Sequence, residues 1–487
     1  MIAAARICML GSIEQQLRQH LISHPRGHER AAAVLFRRHS HDVPGLDASD
    51  RYVAIDFVPF NEDWITSSSS IHVDFDVAPL RELFRRCEEE GLVFGFAHNH
   101  PGGYPQFSDK DDENEMTLMC AIGNRNGPQS HLVALLLSEG KWFARTRNAQ
   151  DPAHALDVRH VLVLGDFRLH LHAVQATDDE SAADEDVLAR QAAAFGKPFV
   201  SKMRSLRIGL IGSSGTGSPT GTLLARAGIG EIVVVDPDKL GHSNLNRIRG
   251  ARKADVGKNK AQWLREYLYG LDLGTGVGAY ESYVDLDVDA FDALTTCDVI
   301  FGCSDDQIGR EVLNAACYVY ALPYIDVGLG GWIDSNCAGE IRLRGHYGRV
   351  STIFPEGGDC LHCQGIVSAQ GVRREYALRE NPDLSEDELR ERYLLGGGEQ
   401  APGVGPFTSA VGDYGVATLF DLIAGFRRWR PELRRDQFLI DFVLMELRSP
   451  ESNHSEECSY CGTRDFLLKR SKYRLGRPSF GVHRVNY

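Results

Sequence analysis

The chain has 487 residues, 43% of them hydrophobic and 25% charged, with a formal net charge of −14. That length exceeds what one hydrophobic core serves, so two domains of ordinary soluble globular composition are expected. No run of about eighteen or more apolar residues offers a membrane span, and the acidic balance argues against a general nucleic-acid binder.

The opening MIAAARICMLGSIEQQL holds a short apolar run with no basic region before it and soon turns polar, so no secretion signal is expected. From about residue 20 to 150, AAAVLF, YVAIDFVPF, LVFGFAH and HLVALLL are rich in Val, Phe and Leu and predict strands. APLRELFRRCEEEG has helical spacing and predicts an amphipathic helix before LVFGFAH. RHVLVLGDFRLHLHAV predicts one or two more strands. The acidic TDDESAADED then reads as a linker, which sets a first domain at 1–172, a linker at 173–187 and a second domain at 188–487. The second domain opens with strand RIGLIG, a Gly-rich turn, a helix and strand EIVVVD. This βαβ unit implies a parallel sheet with crossover helices, continued by DVIFGCSD and PYIDVGL. Residues 366–405 are poor in strand signals and hold one expected helix, LSEDELRERYLL. The basic end, LLKRSKYRLGRPSFGVHRVNY, reads as a solvated or sheet-edge tail, with a local basic patch as the alternative.

The strand LVFGFAH runs into His98, Asn99 and His100, and Asp111 follows eleven residues later, with Ser108 just before it. Alternate strand residues share a face, so both histidines can reach one ion. Two imidazoles and one carboxylate leave zinc an open position for a water, whose pKa the ion lowers. A carboxylate outside the ligand set must then carry the proton to the leaving amine. Glu29, out of pattern at the start of ERAAAVLF, is the candidate. Taken alone, His-x-His also fits two ordinary strand histidines. With seven residues, then Ser-x-x-Asp, and the upstream Glu, HNHPGGYPQFSDKD resembles the JAMM (JAB/MPN) metallopeptidases. The resemblance implies a mixed-sheet α/β domain with His98, His100 and Asp111 as zinc ligands. It makes Glu29 the general acid/base and Ser108 an oxyanion stabiliser. It also implies cleavage of amide or isopeptide bonds after the C-terminus of ubiquitin-like proteins. DNA-repair-associated relatives share a similar motif, which leaves the substrate class open.

In RIGLIGSSGTGSPTGTLLARAGIGEIVVVD, Gly212, Gly215 and Gly217 let backbone approach a nucleotide, and the helix N-terminus offers NH groups to phosphate. Asp236, closing the second strand, suits a ribose hydroxyl. On this stretch alone a dinucleotide dehydrogenase is a fair rival reading. Downstream come Asp238, Asn244 and Arg247 in DPDKLGHSNLNR, Lys260 in VGKNKA and Asp305 in DVIFGCSD. Cations and an acid beside the nucleotide favour triphosphate and magnesium chemistry over hydride transfer. These motifs, in this order, resemble the ThiF/MoeB and ubiquitin-activating family, whose adenylating domain is a Rossmann-like α/β fold. The resemblance implies ribose binding by Asp236, phosphate binding by Arg247 and Lys260, magnesium placement by Asp305, and positioning of phosphates or the acceptor carboxylate by Asn244. LARQAAAFG resembles the segment whose arginine reaches the partner subunit's ATP, which makes Arg190 that candidate and implies a homodimer. Ser214 stands where the family motif has its second glycine.

Eleven cysteines without a secretion signal fit a reducing, cytoplasmic setting. Cys360, Cys363, Cys458 and Cys461 form two Cys-x-x-Cys knuckles, the donor set of a closed structural zinc site. No cysteine lies between Cys363 and Cys458, where many members of the family carry a further thiol. The resemblances together imply ATP-dependent adenylation of the C-terminal glycine of a ubiquitin-like carrier protein, coupled to zinc-dependent trimming or deconjugation. A conjugating enzyme or a sulfur donor is the implied next partner. The alternatives are sulfur-carrier activation for a cofactor or natural product, adenylation of a ribosomal peptide, and a non-catalytic binding scaffold.

Overall fold

The structure is a computed structural model that describes residues 5–174, 182–335, 341–384, 403–429 and 434–468. The expected helix LSEDELRERYLL lies, after its first residue, outside the described residues, as does most of the basic end. The chain divides into two compact units: Met1–His41 with Asp47–Asp179, and Asp42–Leu46 with Glu180–Tyr487. No helix among the described residues is long and apolar enough to cross a membrane.

The first unit runs β1 (Arg6–Leu10), α1 (Gly11–Ile22), β2 (Ala31–His41), β3 (Ser49–Pro59), β4 (Ile65–Ser68), β5 (Val73–Phe75), α2 (Arg81–Glu90) and β6 (Val93–Asn99). It continues with α3 (Asp109–Asn126), β7 (His131–Ser138), β8 (Lys141–Asn148), β9 (Asp151–Asp157), β10 (His160–Gly165) and β11 (Arg168–His172). Nine strands make one mixed sheet in the order β11-β10-β1-β3-β2-β6-β7-β8-β9. Strand β2 shows why its sequence is uninterruptedly apolar. Ala32, Val34 and Phe36 pack with Leu17 and Leu21 of α1, while Ala31, Ala33 and Leu35 pack with Phe84 of α2 and with Leu118 and Ile122 of α3. A strand covered on both faces has no polar side to alternate with. Helix α3 escaped the pattern reading because its inner stripe, besides Leu118, Met119 and Ile122, includes Asp111 and Glu115.

The second unit opens with α4 (Ala182–Phe195) and α5 (Lys197–Ser205). Helix α4 therefore begins inside the stretch read as linker and crosses the expected boundary at 188, because the alanines and straight-chain residues of AADEDVLARQAAAF are strong helix formers. Next come β12 (Arg207–Ile211), α6 (Gly217–Arg226), β13 (Glu231–Val235), α7 (Lys260–Tyr269), β14 (Gly276–Tyr280), α8 (Val288–Thr295) and β15 (Val299–Gly302). The chain ends with α9 (Gln307–Val319), β16 (Tyr324–Ser335), β17 (Ile341–Ile353), α10 (Ala369–Glu380), α11 (Gly405–Ala424), β18 (Gln437–Asp441) and β19 (Glu446–Arg448). Their sheet has the order β14-β13-β12-β15-β16-β17-β18-β19. It is parallel from β14 to β16 and antiparallel from β16 to β19. The chain steps outward from β12 to β14 and then restarts at β15 on the other side of β12. The carboxyl ends of β12 and β15 thus form a topological switch point, where open α/β sheets bind ligands.

Candidate functional site

In the first unit, β6 delivers His98, and His100 follows where the strand ends. The Nε2 atoms of the two rings lie 3.2 Å apart. Asp111 stands 2.9 Å from His98 Nε2 and 3.3 Å from His100 Nε2. Local sequence sets this carboxylate in place. Ser108 N-caps α3, its backbone NH and hydroxyl both donate to Asp111 Oδ2 (2.7 and 2.8 Å), and the Asp111 NH donates back to Ser108 Oγ. Burial opposes charge on Asp111, but hydrogen bonds from His100 and His98 and the Ser108 NH outweigh it and hold the carboxyl well below the usual range. Ser108, expected to help stabilise an oxyanion, here directs its hydroxyl to Asp111 and so orients that carboxylate. His100 Nδ1 lies 2.9 Å from the Tyr104 carbonyl. A carbonyl only accepts, so Nδ1 carries the hydrogen and Nε2 keeps its lone pair for a metal.

Glu29 is buried 3.8 Å from His100 Nε2, and its Oε1 has no hydrogen-bond partner. Burial pushes its carboxyl up to about 7, against the pull of His98 and His100. Two contacts that the sequence does not announce fix its backbone: the Glu29 NH donates to the Ser69 carbonyl (2.7 Å), and the Arg30 NH to Asn99 Oδ1 (2.8 Å). Asn99 is the middle residue of His-x-His, and that position was its one available signal. Behind α3, the fully buried Glu115 accepts from Arg145 and Arg147 of β8 (2.9 and 2.8 Å), tying the helix that carries Asp111 to the sheet. The three donor atoms of His98, His100 and Asp111 lie within 4.8 Å of one another, and the buried Glu29 carboxylate, whose Oε1 makes no hydrogen bond, stands beside them. This donor set fits a zinc ion with one open position.

In the second unit, the switch point opens into a cavity of about 1870 Å³. Gly212, Gly215, Asp236, Asp238, Asn244, Arg247, Lys260 and Asp305 all line it. Gly217 does not. A Cβ there would lie 1.9 Å from the Gly212 carbonyl, so this glycine closes the turn on itself. Gly212, at φ +89°, passes so near β15 that a Cβ would sit 2.7 Å from the Cys303 carbonyl. Asp236 accepts the NH groups of Ser213 and Asp238 (2.6 and 2.9 Å). Burial raises it to about 6, with Lys260 pulling the other way. Lys260 pairs with Asp238 at 2.8 Å. Asn259, unforeseen in the sequence, caps α7 and donates to the carbonyls of Asp236 and Asp238, so it fixes Lys260 beside them. Asp305 is exposed at the cavity, and Asp306 caps α9 behind it. Arg190 is exposed on α4 and is not among the cavity's lining residues. The acid, the cations and the open loop fit a nucleoside triphosphate with magnesium.

Away from this cavity's floor, Cys360 Sγ lies 3.6 Å from Cys458 Sγ, and Cys363 Sγ 3.5 Å from Cys461 Sγ. Four thiolates about 2.3 Å from a zinc ion stand about 3.8 Å apart along tetrahedral edges, so the cluster fits a closed structural site. Cys303 is buried, its Sγ 3.8 Å from Thr220 Oγ1, and burial pushes its thiol up to about 12.

Among characterised proteins, the SAMP-activating enzyme E1 of Haloferax volcanii is 32% identical over 124 residues, 26% of this chain and 46% of that protein. The sulfur carrier protein ThiS adenylyltransferase of Escherichia coli is 31% identical over 133 residues, 27% of this chain and 53% of that protein. The matched stretch thus spans about half the length of each of these relatives. The crystal structure of E. coli MccB with ATP aligns with 57% of this chain and 74% of its own at 18% identity and a TM-score of 0.42, too distant a likeness to speak for activity. The model of the ThiF family matches residues 188–460, more than half of the chain, and the protein belongs to the ThiF family.

Proposed function

We propose that the second unit adenylates the C-terminal glycine of a ubiquitin-like or sulfur-carrier protein. The observation that carries this reading is the convergence of Asp236, Lys260, Arg247 and Asp305 on one cavity at the switch point. A carboxylate oxygen of the terminal glycine forms a bond to the α-phosphorus of ATP, the bond from that phosphorus to the β-bridging oxygen breaks, and pyrophosphate leaves with the electron pair. Lys260 and Arg247 hold the phosphates, Asp236 the ribose, and Asp305 a magnesium ion. The names of the relatives, a SAMP-activating enzyme and a ThiS adenylyltransferase, support a carrier-type substrate and leave conjugation and sulfur transfer as the two downstream routes. The test is ATP–pyrophosphate exchange dependent on a carrier with a free C-terminal glycine. Asp305→Ala should reduce exchange to background, and exchange at the wild-type rate would refute this map of the nucleotide site.

The first unit, in the same proposal, is a JAMM-type metallopeptidase that exposes or releases the same glycine terminus. A zinc ion held by His98, His100 and Asp111 would supply a water of lowered pKa and a polarised carbonyl. Glu29 takes the proton and returns it to the leaving amine. The geometry that supports this is a buried carboxylate, with an oxygen that makes no hydrogen bond, 3.8 Å from the His100 imidazole.

A further inference from the structure

The adenylation reading, on which this inference rests, leaves one charge unaccounted for. Arg247 and Lys260 face the phosphates, yet the second reactant is also an anion. Four more arginines line the cavity: Arg374 and Arg379 of α10, the latter paired with Asp285, and, beyond the Asp305 loop, Arg310 of α9 and Arg349 of β17. The last two converge on one carboxylate: Arg310 Nε lies 3.2 Å from Asp326 Oδ1, and Arg349 Nη2 2.6 Å from Asp326 Oδ2. Asp326 is fully buried and also accepts from Tyr324 Oη at 2.6 Å. Asp306 also acts on Arg310, whereas Arg349 has Asp326 as its carboxylate and Arg310 as a neighbouring cation.

The two arginines are not equally committed. Arg310 donates to the carbonyls of Ser304 (2.8 Å) and Asp305 (3.2 Å), so its remaining groups brace the loop that carries Asp305. Arg349 donates to Ser351 Oγ through Nη1 and pairs with Asp326 through Nη2, and it holds no backbone carbonyl of the Asp305 loop while lining the same cavity. A Cβ on Gly328 would lie 2.5 Å from Arg349 Nη2 and 3.4 Å from Arg310 Nη2. The run Gly328, Leu329, Gly330 and Gly331 of β16 lines the cavity from this arginine onward, so three of its four residues present backbone without a side chain.

The geometry points to Arg349 as the residue that receives the carboxylate of the incoming glycine terminus, with Arg310 positioning the Asp305 loop beside it. A planar guanidinium offers a carboxylate a two-point hydrogen bond, and it discriminates a free acid from an amide by charge.

The test uses the full-length protein with a fluorescently labelled peptide ending in Gly-Gly, as free acid and as C-terminal amide, in the presence of a non-hydrolysable ATP analogue. Nucleotide affinity is measured separately with a fluorescent ATP derivative. Wild type should bind the acid about tenfold or more tightly than the amide. Arg349→Gln should lose that preference, while Arg349→Lys retains part of it and nucleotide affinity stays within about twofold. Asp326→Asn with Arg349→Met removes both charges of the pair at constant net charge, so a destabilised single variant does not decide the matter, and it too should lose the preference. An acid preference that survives in Arg349→Gln and in the double variant overturns the inference, as does loss of nucleotide binding in parallel with peptide binding in both. A wild type that binds nucleotide but treats acid and amide alike also overturns it. A wild type that binds no nucleotide overturns the adenylation reading itself.

Discussion

At the scale of single residues, the two sites differ in what makes a side chain chemically ready. Burial lifts Glu29 to about 7, where a carboxylate can both take and return a proton, as the proposed peptidase reaction requires of it. Glu29→Gln should therefore keep one zinc per first-unit site by metal analysis yet cut hydrolysis of a carrier fusion by about a hundredfold or more, whereas His98→Ala should lose both metal and activity. Cleavage by Glu29→Gln at the wild-type rate would show that another group carries the proton. Cys303 is the opposite case. It lies two residues before Asp305, but with its thiol pushed to about 12, roughly one molecule in ten thousand carries the thiolate at pH 8. Iodoacetamide should modify Cys303 only after denaturation while reaching the exposed Cys120 in the folded protein. Intact mass after mixing enzyme, carrier and ATP should show no dithiothreitol-sensitive adduct. The acyl group then passes straight to an external nucleophile, and such an adduct on Cys303 would contradict this.

At the scale of elements, what was legible in the sequence was whatever keeps its partners near in the chain. Strands β2, β6, β12 and β13 announced themselves by unbroken apolar runs, and the spacing from His98 to Asp111 pointed to three side chains that the fold does bring together. Helix α3 did not, because two acidic residues sit on its buried side, one paired with the histidines and the other with arginines of a distant strand. Helix α10 also went unread in a segment where only LSEDELRERYLL was expected. Its buried side chains are few, and Glu375 is spent on the backbone NH groups of Gln307 and Ile308 at the start of α9. Asn99, Asn259 and Arg349 share this character: each matters through a contact made by folding, which no local spacing encodes. The glycines of the first β-turn-α element invite a graded test. Gly217→Ala puts a Cβ 1.9 Å from a backbone carbonyl that has nowhere to go, so it should lower Tm by several degrees and abolish nucleotide binding. Gly215→Ala meets the Thr408 and Arg247 side chains at 3.0 and 3.1 Å, which can shift, so it should weaken binding by less than about tenfold. Equal losses in the two variants, by thermal melting and nucleotide titration, would count against this division of roles.

At the scale of the whole molecule, Arg190 raises the question of whether one chain makes a complete adenylating site. Arg190 is exposed on α4, apart from the residues lining the cavity. If it serves a second copy's nucleotide, Arg190→Ala and Asp305→Ala proteins should each be inactive in exchange, and a mixture of the two should recover about a quarter of wild-type activity from mixed dimers with one intact site. No recovery despite demonstrated subunit exchange would place the whole reaction within one chain. The four-cysteine cluster has a different consequence at this scale. It brings together positions 98 residues apart in the sequence, so an ion held there would fix both ends of a long excursion of the chain that includes α10, α11 and β18. Doubling such a loop costs only about 0.6 kcal/mol in closure entropy. A change of length between Cys363 and Cys458 would therefore alter the cost of closing the excursion by little, and the fastening of its two ends would tolerate it.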